Sequence, residues 1–264
     1  MQGTLDYLYK RSQPNTIRRK MRCLEGKRNF NKYSKIIKTD CLYWFKLDIE
    51  GRENIPKNPC IFTANHQSWQ DLITVMTAID EYVNPVVAIN AGSTFEQYSI
   101  LEYFDVTATI RGQEPLAKKR QKEVIDEMVS KIKKGNKQLV FPEATYCPVF
   151  DSMLGFYKGG SIEVARKTQV SIIPVVSVYD FDKAGNVTNY YLKFLPSFNY
   201  NQYDNSFEAT NELRKYMIKN KLELIKKYTP KMTQEKFNIF RSKQAELTPL
   251  DKDYKDWHLY SMNK

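Results

Sequence analysis

A chain of 264 residues, 42% apolar and 27% charged, is long enough for one large domain or two small ones and carries the apolar share a real core needs. No run approaches the roughly 20 apolar residues that span a bilayer, and the start, MQGTLDYLYKRSQP, lacks the apolar centre of a secretory signal, so neither a spanning anchor nor a secreted protein is expected. The net charge of +11 is uneven: residues 1–50 hold 12 Lys and Arg against 5 Asp and Glu, which places +7 there and +4 in the remaining 214.

Residues 1–50 read as a basic helical region broken near Pro14. Within it, KYSKIIKTDCLYWFKL mixes lysines with Ile36, Ile37, Leu42, Tyr43, Trp44, Phe45 and Leu47. Such a segment suits a polyanion, either nucleic acid or an acidic lipid surface, and its aromatic content fits a membrane interface. A helix whose apolar stripe packs on the rest of the chain, with its lysines solvated, accounts for it equally well. Cys23, Cys41, Cys60 and Cys147 are scattered with no CxxC pair, which favours neither a metal site nor a disulfide framework; reduced thiols in a cytoplasmic protein are the simplest reading.

From residue 60, short β-type runs alternate with helical stretches. CIFTA (60–64), PVVAIN (85–90), VTATI (106–110), KQLVF (137–141), SIIPVVSV (171–178) and YYLKFL (190–195) are the predicted strands. Helices are predicted near 71–80, 94–103, 159–168 and 206–227. Val124, Ile125, Met128, Val129 and Ile132 recur at helical spacing in EVIDEMVSKIKKG, which Gly135 ends. The alternation argues for helices packed on a largely parallel or mixed sheet, in which ligands collect at the carboxyl ends of strands.

Two polar motifs fall at such ends. NHQSWQD (65–71) follows CIFTA and holds His66, one of only 2 histidines; the other, His258, sits in a polar, aromatic tail. Five helical residues turn through about 140°, so His66 meets Asp71 only from a loop that precedes the helix. Ser68 as N-cap and Asp71 in the first turn make that loop, and Asp71 then accepts from one ring nitrogen while the other faces the cleft as a base. On this spacing alone, a structural histidine with an acid at a helix start is the commoner arrangement. The second motif, FPEAT (141–145), follows QLVF; Pro142 breaks the strand, and Glu143 and Thr145 offer an acceptor and a hydroxyl at the same edge. Lys158 precedes two glycines and a predicted helix start, a place for an anion or simply a glycine turn with a solvated lysine. Arg111 follows VTATI at a third strand end, where a guanidinium grips phosphate well and where a plain surface charge is equally ordinary.

IPKNPCIFTANHQSWQD, TIRG, FPEAT and IIPVV follow one another in the order seen in the lysophosphatidate acyltransferase family, glycerolipid acyltransferases with NHxxxxD and FPEGT motifs, which this chain resembles over roughly residues 50–180. The resemblance implies that His66 is the catalytic base and Asp71 the aspartate that orients it. It gives the acceptor's phosphate to Arg111, ties Glu143 and Thr145 to acceptor binding, and makes Pro174 a structural element; Lys158 joins the substrate-binding set from its own position. The fold implied is α/β, a mostly parallel or mixed central sheet flanked by helices, with an N-terminal helical element (1–50) that docks on membrane and an acyltransferase domain over 51–264. The reaction implied moves a fatty acyl group from an acyl carrier protein or coenzyme A thioester to the free hydroxyl of a lysophospholipid, lysophosphatidate first. No metal and no cofactor beyond the thioester co-substrate is expected. The expected polyanion becomes an anionic membrane surface and not nucleic acid, with the protein peripheral on the cytoplasmic, inner face.

Two departures bear on the acceptor. Ala144 stands where the family has glycine, so the turn should avoid a glycine-only conformation. Tyr146 stands where the family often has arginine, which removes one cation and keeps other lysolipid acceptors open; Arg111, Lys158 and Arg166 are the compensating cations. A non-enzymatic anionic-lipid-binding protein of the same fold is the alternative of another class.

Overall fold

A computed structural model describes residues 6, 9, 46–68, 70–88, 106–110, 112–144 and 157–247. Arg111, Thr145, Tyr146, His258 and the helix predicted near 94–103 lie outside the described residues, as does most of the basic N-terminal region.

Seven strands form one sheet: β1 (Lys46–Glu50), β2 (Cys60–Ala64), β3 (Val83–Ala88), β4 (Thr107–Thr109), β5 (Lys137–Val140), β6 (Ser171–Phe181) and β7 (Val187–Phe194). They lie in the order β1-β7-β6-β2-β5-β3-β4, and every neighbouring pair is parallel except the β6–β7 hairpin. Among the described residues, five named helices flank it: α1 (Gln70–Ile79), α2 (Pro115–Lys133), α3 (Gly160–Thr168), α4 (Ser206–Tyr228) and α5 (Gln234–Leu247). The mixed α/β architecture is the one the sequence implies.

Local chemistry sets the element ends. Pro115 opens α2, where a missing N–H costs nothing, and Gly135 closes it at φ 88°, a conformation that suits glycine. Asn205 caps α4 by accepting from the Glu208 backbone N–H.

The sheet is buried on both faces. Cys60, Phe62, Ala64, Ile173, Val175, Tyr190 and Phe194 face α1 and α5, which contribute Val75, Met76, Ile79, Phe237 and Phe240. Ile61, Ile172, Val176 and Val178 face α2, α3 and α4, which bring Val124, Met128, Ile162, Leu213 and Met217. Each fully buried side chain of this size contributes about 1.5–3 kcal/mol, so the two layers together outweigh any surface contact. This two-sided burial explains why CIFTA and SIIPVVSV read as unbroken apolar runs.

Two elements depart from the sequence reading. Lys46–Glu50, grouped by composition with the basic helical region, is an edge strand: it pairs with β7 through Leu47↔Tyr190 and Ile49↔Leu192, and Leu47 and Ile49 pack on the core. Their period of two is the strand signal. Helix α5 has no counterpart among the predicted helices, yet Phe237 and Phe240 are buried on the sheet. Among the described residues, no helix is long and apolar enough to cross a membrane. Of the N-terminal region, Tyr9 is helical and docks on α2, its hydroxyl donating to Glu123 Oε1 at 2.6 Å.

Candidate active site

Strands β2 and β5 are hydrogen-bonded parallel neighbours with Thr63 opposite Val140. Their following loops therefore leave the sheet side by side, and NHQSWQD meets FPEA although His66 and Glu143 stand 77 residues apart.

Asn65 fixes the exit. Fully buried, its amide accepts from the Ser177 N–H at 2.7 Å and donates to the Ser177 carbonyl at 3.2 Å, so the side chain continues the β2–β6 ladder for one more step. The chain then turns and His66 leaves the sheet. Its backbone N–H donates to Glu143 Oε1 at 2.7 Å, and its ring stacks on Phe141 with centroids 4.2 Å apart. The ring keeps 15% exposure, enough for a reactant to reach it.

His66 Nδ1 lies 2.9 Å from Asp71 Oδ2. Asp71 is wholly buried and receives further donors: the Gln67 and Ser68 N–H groups at 2.5 and 2.8 Å on Oδ2, and the Tyr179 and Tyr190 hydroxyls on Oδ1, that of Tyr190 at 3.1 Å. With Oδ2 of Asp71 accepting, Nδ1 carries the hydrogen of the contact, which leaves Nε2 as the acceptor nitrogen of the neutral ring. Ser68 supplies the other half of the capping box, its Oγ accepting from the Gln70 N–H at 3.1 Å. Burial first, and then the Asp71 charge, push both tyrosine hydroxyls well above the usual range, so they stay neutral donors.

The FPEA turn closes through Ala144 N–H to the Phe141 carbonyl at 3.0 Å. Ala144 adopts φ 57°, the left-handed region, contrary to the expectation that alanine would steer the turn away from it. That conformation is open to alanine at a cost of about 1–2 kcal/mol, and the strain sits beside the catalytic candidates. Glu143 is buried with at least one oxygen committed to His66.

Lys158 is brought to the same turn, its backbone N–H donating to the Pro142 carbonyl at 2.9 Å, and its side chain is exposed. The glycines after it have a packing reason: a Cβ on Gly160 would stand 3.2 Å from Ile125 Cδ1, and one on Gly159 3.2 Å from Thr210 Oγ1. Strand β4, which precedes Arg111, ends on the same rim three strands from β2, a span of about 14 Å at ordinary strand spacing. Arg166 is not part of the site. Its guanidinium donates to the Tyr200 and Tyr203 carbonyls at 3.1 and 2.6 Å, tying α3 to the turn before α4.

The sequence reading missed Asn65, Phe141, Tyr179 and Tyr190. Asn65 stands beside the histidine in the motif, which is a signal; the tyrosines sit inside ordinary strand runs, and only the β6–β7 register aims them at Asp71. Among the described residues, no group of three or more His, Cys, Asp and Glu could hold a metal ion. Cys60 offers no nucleophile: burial pushes its thiol up to about 12.

A family model described as Acyltransferase matches residues 46–178. A chloroplastic 1-acyl-sn-glycerol-3-phosphate acyltransferase of Brassica napus is 28% identical over 137 residues, 50% of this chain and 37% of that protein. Its counterpart in Arabidopsis thaliana is 28% identical over 142 residues, covering 50% and 36%. The 1-acyl-sn-glycerol-3-phosphate acyltransferase of Saccharomyces cerevisiae is 28% identical over 136 residues, covering 49% and 43%. The matched stretch thus spans well under half the length of these relatives. Among solved structures, the 1-acyl-sn-glycerophosphate (LPA) acyltransferase PlsC of Thermotoga maritima has the same fold, with a TM-score of 0.59 at 22% identity over 83% of this chain and 87% of that one.

Proposed function

This chain belongs to the acyltransferase family, matched over residues 46–178, and from that premise we propose that it transfers a fatty acyl group from an acyl thioester to the free hydroxyl of a lysophospholipid, with lysophosphatidate the foremost acceptor. The observation that carries this reading is the His66 Nδ1–Asp71 Oδ2 contact of 2.9 Å in a loop held open by Glu143. Nε2 takes the proton of the acceptor hydroxyl as its oxygen attacks the thioester carbonyl carbon. The carbon–sulfur bond breaks, and the departing thiolate takes the proton back from the imidazolium. General-base action of this kind supplies about 10²- to 10⁴-fold, and holding the two substrates together supplies more. No covalent acyl-enzyme enters this scheme.

Lys158, exposed beside the FPEA turn, is the described cation best placed for the acceptor's phosphate, with Arg111 and Thr145 as its partners. Glu143 serves the acceptor indirectly, by locking the His66 loop. The donor is an acyl carrier protein or coenzyme A thioester. The basic, aromatic N-terminal region provides the docking surface for anionic lipid, which makes the protein peripheral on the cytoplasmic, inner face of a membrane.

A thioester-release assay over a panel of lysolipid acceptors tests the reading. Wild type is expected to prefer lysophosphatidate, and His66→Ala to lose about 10²- to 10⁴-fold. Full activity in His66→Ala removes the mechanism, and preference for another head group moves the acceptor. Sedimentation with anionic vesicles, weakened by added salt, tests the docking surface.

A further inference from the structure

We infer that Tyr179 and Tyr190 are positioning residues of the acyl transfer: their paired hydroxyls hold Oδ1 of Asp71 so that Oδ2 stays on His66, and together they set the pH below which the enzyme loses its base. The inference rests on the reading of His66 as general base.

The two oxygens of Asp71 have different suppliers. Oδ2 is served from its own loop, by His66 Nδ1 and the Gln67 and Ser68 amides, all within five residues of it. Oδ1 is served by the tyrosines, more than 100 residues away in sequence. A helix-capping carboxylate needs only the local amides, so the remote pair requires a separate explanation. The pair is also built as a unit. Tyr179 and Tyr190 are register partners across the β6–β7 hairpin, their rings meeting edge to face at 4.6 Å and 89°. Ser68 Oγ lies 2.9 Å from the Tyr179 hydroxyl and links the capping loop to the same unit.

Helix α5 seals the back of the pair. Phe240 packs on Tyr179 with centroids 5.3 Å apart and stacks on Phe181 at 4.9 Å. The hairpin turn lets it approach through Gly185, where a Cβ would stand 3.2 Å from the Phe240 Cα. Tyr179, Tyr190 and Phe240 are all buried, so water does not stand in for a lost hydroxyl. Among the described residues, the groups facing Asp71 that can titrate are His66 from the loop and Tyr179 and Tyr190 from the strands. The described side chains of α5 packed on this core are Phe237 and Phe240, and Glu143 accepts from the His66 backbone.

The sign of the effect follows from hydrogen bonding to a charge. A donor removed from Asp71 leaves the carboxylate more basic, so the His66–Asp71 pair holds a proton more tightly. The direction is the same whichever partner carries that proton. Less of the enzyme then has a free imidazole at a given pH, and the acid limb of the rate profile moves up.

The experiment is the pH dependence of kcat and KM for the full chain carrying Tyr179→Phe, Tyr190→Phe or both, beside wild type and His66→Ala. Phenylalanine keeps the ring packing, and melting curves identify folded variants. The expected result is a kcat on the acid limb lowered by up to about 3- to 10-fold in each single variant, an acceptor KM unchanged, and an acid limb raised by about half a unit to one unit in each single variant and further in the double. Activity should return towards the wild-type plateau at higher pH. Folded single variants whose acid limb coincides with that of wild type overturn the inference, whatever the double variant does; a purely structural role would lower the melting temperature and move no limb. An active His66→Ala overturns the base itself, whereas an inactive His66→Ala with unmoved limbs overturns only the role of the tyrosines.

Discussion

Two buried charge clusters lie on opposite sides of this sheet, and they are neutralised in different ways. Behind β4, Arg120, Glu127 and Lys131 of α2 form an ionic set. Arg120 bonds Glu127 and, at 2.9 Å, the Ala108 carbonyl; Lys131 lies 3.4 Å from Glu127 and donates to Thr107 Oγ1 at 3.1 Å. Behind β2, among the described residues, Asp71 is surrounded by neutral donors, and His66 is the partner that takes on charge during the reaction. Opposite charges cancel one another and serve packing. Neutral dipoles hold a carboxylate in place while leaving its field for the imidazole.

The difference can be broken from either side. The largest effect is expected for Asp71→Asn, which keeps shape and burial but removes the charge that orients the Nδ1 hydrogen: activity should fall by about 10²- to 10⁴-fold in the thioester assay. A fall of less than tenfold would mean that the carboxylate only caps α1. In the ionic set, Arg120→Met takes away the Glu127 ion pair and the donor to the Ala108 carbonyl, leaving Lys131 at 3.4 Å beside the carboxylate; it should cost up to about 3–5 kcal/mol by denaturant unfolding, with activity per folded molecule unchanged. Replacing Arg120, Glu127 and Lys131 together by Met, Leu and Met should recover most of that loss, since an apolar set of similar volume replaces buried ion pairs well. A triple variant as unstable as the single would show that the network is more than charge cancellation.

Smaller effects sharpen the contrast locally. Ala144→Gly relieves the left-handed backbone at φ 57° and should raise stability by about 1 kcal/mol, read as a higher melting temperature. If activity drops as stability rises, the strain contributes to placing Glu143 under the His66 loop. Last, the Cys60 thiol is held neutral in the fold and ionises near its ordinary value of 9.0 once the chain unfolds. Stability should therefore decline as pH rises above that value, because the folded state keeps a proton the unfolded state releases. Labelling of Cys60 only on unfolding, mapped by mass, checks the same burial.

Much of this arrangement is legible in the residues. CIFTA, KQLVF and SIIPVVSV are read as strands because two-sided burial makes them continuous apolar runs, and α2 and α4 because their apolar positions recur every three to four residues. His66 and Asp71 are brought together as the capping pattern implies. What escapes is what depends on distant partners. Strand β1 is five residues long, and its partner β7 lies some 140 residues further along the chain. Among the described side chains of helix α5, Phe237 and Phe240 are buried and Ile239 is half exposed, too thin a stripe to stand out. Tyr179 and Tyr190 look like ordinary strand residues until the hairpin register makes them neighbours. Ala144 misleads in the other direction, because a glycine missing from a motif does not mean its conformation has been abandoned.

The central place of β2 has a kinetic consequence. Its loop is tied to β5 through Glu143 on one side and to β6 through Asn65 and Tyr179 on the other. A partly refolded chain with only one of these flanks docked has its imidazole misaimed. Return of turnover after dilution from denaturant should then trail the recovery of helical and sheet signals, following the last of these long loop closures.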